Sequence, residues 1–136
     1  MIGRDIAAAL PEMRALAESL MVDACRITGA SESVWDEDAG TYTAGDPALV
    51  YEGPCKLQTR NVLVNDADAG DREVGVVRWE VHLPVVGSEA VTRGHVVTVT
   101  ACALDAAAVG QAFTVSGPHV GSMKTARRVP VEAVVA

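Results

Sequence analysis

Arg72-Glu-Val-Gly-Val-Val-Arg-Trp-Glu-Val-His-Leu-Pro84 is the stretch whose alternation decides the fold class. Val77, Trp79, Val81 and Leu83 take every second position and Arg78, Glu80 and His82 fall between them, which gives a strand with one apolar and one polar face. The same grammar extends in both directions. Downstream, Gly94-His-Val-Val-Thr-Val-Thr-Ala-Cys-Ala103 reads as a strong strand and residues 111–117 as a shorter one. Residues 127–135 read as a last strand that Pro130 pushes toward an edge. Upstream, residues 49–60 read as a strand or strand pair broken at Gly53-Pro54, because proline cannot donate to a central ladder. Asp23-Ala-Cys-Arg-Ile-Thr28 reads as the first strand, with Cys25 and Ile27 on one side. About six strands with turn signals between them predict a mainly β chain, a small antiparallel barrel or sandwich.

One segment has helical rather than alternating spacing. In Pro11-Glu-Met-Arg-Ala-Leu-Ala-Glu-Ser-Leu-Met21 the apolar positions Met13, Leu16, Ala17, Leu20 and Met21 follow the i, i+3, i+4 rule. Pro11 suits a first helical turn, and Arg14 and Glu18 are spaced to pair on the wet face. Residues 2–10 read as either a second short helix or a loose arm. The expected organisation is one domain over residues 1–136, a helical arm over 1–22 and a barrel over 23–136, with the helix covering an open end or face. Two long connections, residues 29–47 and 61–71, interrupt the strands; loops of that length in a small domain usually carry function or are disordered.

The 136 residues are 49% hydrophobic and carry a formal charge of −7. Residues 23–71 hold three basic and ten acidic groups, so the whole net charge belongs to that part of the chain. Such acidity argues against a nucleic-acid-binding module of the basic kind. Cys25, Cys55 and Cys102 are odd in number and set in apolar runs, which fits reduced core thiols. No stretch is long and apolar enough to predict a membrane span or a secretion signal.

The chemistry-bearing residues do not assemble into a recognisable catalytic or metal motif, so neither enzyme activity nor a cofactor is expected. His82 belongs to the polar face of a strand and reads as exposed or inter-subunit. His95 follows Gly94 at a strand start, and His119 follows Gly117-Pro118 in a turn. Asp36-Glu-Asp-Ala-Gly40 and Asp66-Ala-Asp-Ala-Gly-Asp71 have alternating carboxylates before a glycine, but neither completes a calcium loop. Followed by Thr41-Tyr-Thr43, the first reads as a hairpin tip in which Gly40 supplies the positive φ. Lys124, Arg127 and Arg128 read either as a solvated strand end or as an ionic contact with an acidic surface, such as residues 23–71 of an adjacent copy. The second arrangement would be head-to-tail, and head-to-tail contacts that close make rings.

The order of several short segments resembles a family of small actinobacteriophage and prophage proteins of the head-to-tail connection. The resemblance is carried by Leu10-Pro-Glu-Met-Arg-Ala-Leu-Ala-Glu-Ser-Leu-Met-Val-Asp23 running into Cys25-Arg-Ile-Thr28, and by Asp36-Glu-Asp-Ala-Gly-Thr-Tyr42. Tyr51-Glu-Gly-Pro-Cys-Lys-Leu57, Arg78-Trp-Glu-Val-His-Leu-Pro84, Gly94-His-Val-Val-Thr-Val99 and Thr125-Ala-Arg-Arg-Val-Pro-Val-Glu132 complete it. It covers most of the chain; His95 departs from the acidic residue expected after that glycine.

The resemblance implies a head-closure, or stopper, protein: a small barrel in a ring of its own copies, six ahead of twelve. The portal and adaptor would lie above it and the tail terminator and tail tube below, in the neck of a virion assembled in the host cytoplasm. Packaged double-stranded DNA would pass through the lumen without sequence-specific binding. A loop of such a protein can plug the channel. Residues 61–71 are the choice here, since they lack the aromatic anchors Trp35 and Tyr42 of the other long loop. Asp66, Asp68 and Asp71 would then line the channel, repelling phosphates over a range that salt limits to about 10 Å. A tail terminator is the nearest alternative, and a small ligand- or peptide-binding barrel is an alternative of another class.

Overall fold

The computed structural model describes residues 2–29, 33–62 and 76–133. It opens with helix α1 (Ile2–Ser19), followed by strands β1 (Asp23–Thr28), β2 (Ser33–Asp36), β3 (Thr41–Ala44), β4 (Leu49–Val62), β5 (Val76–Leu83), β6 (Val96–Ala101), β7 (Ala112–Val115) and β8 (Arg127–Ala133). Six strands close into an antiparallel barrel in the order β1-β4-β5-β8-β7-β6, and β6 returns to pair with β1. β2 and β3 form a separate two-stranded hairpin.

The alternation in the sequence is the packing of the barrel. Val81 and Leu83 of β5, Val97 and Val99 of β6, Val115 of β7 and Val129 and Val131 of β8 all point inward and are buried. Ile27, Cys25 and Cys55 fill the remaining space, and Trp79 lies against Phe113 with ring centroids 5.4 Å apart. β-branched valines suit this interior because a six-stranded barrel is narrow and their short, stiff side chains fill it with little entropy to lose. The cysteines are free, and Cys25 and Cys55 lie in the core. The Cys25 thiol is pushed up by its hydrogen bond with Cys55 and then by burial.

Neither Pro54 nor Pro130 interrupts or frees a strand as the sequence predicts. β4 runs unbroken through Gly53-Pro54 and pairs there with Cys25 and Ala24. Pro54 is tolerated because β4 has a partner on one side only at that level; its ladder to β5 begins at Lys56. The Tyr51 side chain folds back over this point and donates its hydroxyl hydrogen bond to the Pro54 carbonyl at 2.6 Å. A Cβ on Gly53 would come within 3.1 Å of that hydroxyl, so the glycine makes room for it. β8 likewise is no edge: closure places it between β5 and β7. Pro130 sits just past the last β7–β8 pair, Val115↔Val131, where only its carbonyl is needed, and Ser116 N–H donates to it at 2.9 Å.

Helix α1 departs furthest from expectation. Residues 2–10 are part of it, and Pro11 lies inside rather than in its first turn. The run Ala7-Ala-Ala-Leu10 has strong helix propensity and continues one apolar stripe, Ile2, Ile6, Met13, Leu16 and Leu20, across the proline. No residue of the helix is buried. Leu10, Arg14 and Ala17, one flank of the stripe, are half-buried, while Ile2 is 78% and Leu16 69% exposed. The Arg14 guanidinium, placed on the wet face by spacing alone, instead donates from Nε to the Lys124 carbonyl at 3.0 Å. The helix therefore touches the barrel along a flank and covers little of it. Deleting residues 2–12 is expected to change the unfolding free energy by no more than about 0.5 kcal/mol in a urea titration; a loss above about 1 kcal/mol would mean the arm belongs to the core.

Candidate functional site

The outer face of the barrel carries a groove with mixed chemistry, about 240 Å³ in volume. Its floor is a cross-strand row: Lys56 of β4 pairs with His82 of β5, which pairs with Arg128 of β8. Side chains alternate across a strand, so burying Cys55, Val81 and Val129 inward turns these three outward together. Gln58 extends the floor, Thr125 and Ala126 close one side, and Ala17 of α1 with Leu20 and Met21 just beyond its end form an apolar wall. The groove is smaller than the roughly 300–1,000 Å³ of ordinary small-molecule sites.

His82 is not the exposed side chain that its strand face predicts. The helix end overlies it, its side chain is 13% exposed, and Nε2 lies 3.3 Å from Glu80 Oε2. Burial pushes its pKa below the ordinary 6.5; Glu80 opposes this, and Arg128 and Lys56 act in the same direction as burial. A histidine whose folded pKa is lowered favours the folded state while neutral. Its contribution is whole above about pH 6.5, the unfolded value, and is lost as pH falls toward the lower folded value. His82→Gln is accordingly expected to flatten the drop in stability between pH 7.5 and pH 5.5 in denaturant titrations. An unchanged drop would place its cause elsewhere.

The three basic residues singled out near the C-terminus are separated by the structure. Arg128 is exposed at the groove. Lys124 is half-buried and offers its carbonyl to Arg14. Arg127 is engaged internally: Nε donates to the Val85 carbonyl at 3.0 Å, and Nη1 lies 3.2 Å from His119 Nδ1. His119, which reads as a turn residue, is buried, and its Nε2 donates to the Val91 carbonyl. Since Arg127 can only donate, the bonds fix Nδ1 as acceptor and Nε2 as donor. His95 caps a local turn, its Nδ1 accepting from Thr92 N–H at 3.1 Å. Each histidine thus has its own setting and its own partners.

The hairpin is as expected at its tip and not at its base. Gly40 has φ 65°, and the Asp36 carboxylate holds the turn by accepting from Asp38 N–H at 3.0 Å. Trp35 and Tyr42 do not anchor it on the barrel. They pair across the two strands edge-on, 5.0 Å between centroids, and both stay more than half exposed. Asp66, Asp68 and Asp71 lie outside the described residues. Beyond Thr59↔Trp79 the β4–β5 pair continues to Val62↔Val76.

Among the described residues no group of three or more His, Cys, Asp or Glu side chains could hold a metal, and no helix is long and apolar enough to cross a membrane. A family model described as a family of unknown function, DUF6093, matches residues 13–132, nearly the whole chain. The chain belongs to the DUF6093 family. The match takes in the barrel of this DUF6093 chain up to Glu132, the hairpin and all residues that line its groove. No curated protein and no solved structure matches it.

Proposed function

We propose that this DUF6093 protein is a structural subunit of a long-tailed phage neck, a head-closure ring protein that retains packaged DNA and docks the tail. The observation that carries the reading is the uncovered apolar surface on its two appendages. Ile2, Met13 and Leu16 along one helix with Leu20 just past its end, and Val34, Trp35 and Tyr42 on the hairpin, are all exposed around a barrel whose own core is well filled. Soluble monomers rarely leave such patches open, and surfaces of this kind are completed by neighbouring subunits. The small antiparallel barrel also suits the resemblance that motivates the assignment. The interior of the barrel is occupied by its own side chains, so a ligand-binding module draws no support from it.

In this reading Asp66, Asp68 and Asp71 line the lumen, and Lys124 and Arg128 face a neighbouring subunit. Imaging of the phage neck with this chain traced is expected to place it as a ring between adaptor and tail, with those aspartates toward the channel. Density anywhere else in the particle overturns the assignment. Deletion separates it from the terminator alternative: loss of a stopper gives heads that do not retain DNA, whereas loss of a terminator leaves filled heads and tails of uncontrolled length.

A further inference from the structure

The groove and the hairpin tip are complementary. Lys56 and Arg128 bring two basic side chains to the groove, where they lie close enough to His82 to lower its pKa, and Leu20 and Met21 supply an apolar wall beside them. At the hairpin tip Asp36 is used in the turn, which leaves Glu37 and Asp38 exposed and without an ion pair among the described residues. Directly behind them stand Trp35 and Tyr42, exposed and apolar. Two carboxylates backed by aromatic rings thus match two cations backed by aliphatic side chains.

The register of β1 and β4 decides whether one molecule can satisfy itself. The hairpin leaves the barrel at the Thr28↔Leu49 end of that ladder, and the groove begins at Lys56, next to the Asp23↔Cys55 end. Six residues of strand separate the two, about 17 Å. The hairpin thus leaves the barrel at the end of this ladder away from the groove, which favours a match made between molecules and running head to tail.

We propose that the hairpin tip of one copy docks into the Lys56–His82–Arg128 groove of a second copy, with Glu37 and Asp38 against Lys56 and Arg128. The contact is heterologous: every copy keeps one free tip and one free groove, so copies add in sequence and close into a ring when the rotation allows. From the proposed function this takes only that copies of the chain meet. Rim charges of this kind set register and encounter, and the association weakens as salt rises.

The test uses the full chain with Cys102→Ser, which removes the one thiol outside the core. Ala39→Cys, at the tip, and Thr125→Cys, on the groove, are made in separate molecules, mixed at high protein concentration and oxidised. The expected result is a disulfide-linked dimer of unlike variants, at a yield well above that of either variant alone. Adding Glu37→Lys and Asp38→Lys to the first molecule is expected to lower the yield about tenfold, and Lys56→Glu with Arg128→Glu in the second to restore it. Circular dichroism and cooperative unfolding check that each variant is folded. No mixed dimer from folded variants, or a yield indifferent to charge reversal, overturns the contact. Charge-sensitive cross-linking by a chain absent from phage necks would leave the contact standing and remove the neck assignment. A chain imaged in the neck whose cross-link ignores charge would remove the contact alone.

Discussion

Leu83→Ala is expected to lower the unfolding free energy by about 3–4 kcal/mol, with a matching fall in the urea midpoint at unchanged slope. Leu83 is fully buried at the end of β5 and packed in the single core of the barrel. Removing its branched end forfeits the transfer free energy of the lost carbons and leaves a cavity besides. That cavity has little means of collapsing. β5 is hydrogen-bonded to β4 on one side and β8 on the other, and those strands are tied through the closed belt to the rest, so no wall can move in without breaking ladder bonds. Val86→Ala, three residues on and 73% exposed, is the control and should stay within about 0.5 kcal/mol. A loss below about 1 kcal/mol for Leu83→Ala would mean that the barrel relaxes far more easily than a closed ladder allows.

His119→Ala should cost about 2–4 kcal/mol, although the residue belongs to no strand or helix. The imidazole bridges two otherwise separate segments, holding the Val91 carbonyl through Nε2 and the Arg127 guanidinium through Nδ1. Truncation leaves a carbonyl and part of a guanidinium without their partners in a poorly hydrated place, and an unmade bond there costs more than a made one contributes. Arg127→Lys is expected to fall short of the wild-type chain by more than about 1 kcal/mol. Its single ammonium cannot reproduce the fork that reaches Val85 and His119 together. Denaturant titration of both variants checks this; wild-type stability in either would show that water replaces the lost partners at no cost.

The barrel was legible because its information is local. Period two at Val77, Trp79, Val81 and Leu83, and again at Val97 and Val99, needs no knowledge of which strand lies beside which. The turn at Gly40 was legible for the same reason. The prolines misled because their consequence depends on neighbours: Pro54 and Pro130 each stand where a ladder on one side has not begun or has already ended, a fact of register rather than of composition. The helix start was missed because Pro11 is a start signal in isolation and a tolerated interior residue within a continuous apolar stripe.

The groove was not legible as a whole. Lys56, His82 and Arg128 are spread over more than seventy residues of sequence and become a row only through the pairing of three strands. Arg128 was singled out for its charge, whereas nothing local marks Lys56. Arg127 and Arg128, adjacent and alike in sequence, receive opposite tasks through strand alternation and the position of His119. The burial of His119 had one faint signal, the Gly117-Pro118 pair that bends the chain just before it.

The strand order also fixes how the chain can reach this state. Consecutive strands pair across four residues in the β2–β3 hairpin and across ten or more in β4–β5, β6–β7 and β7–β8, whereas β5 also waits for β8, and β1 has to find β6 some seventy residues downstream. Such a topology places folding in the slow range of about milliseconds to seconds, with closure of the ring of strands as its last and most entropically demanding step. Helix and hairpin, which need no barrel to form their own hydrogen bonds, are therefore available early. On a growing or refolding chain the surfaces best suited to meet another molecule exist before the body that is to hold them apart.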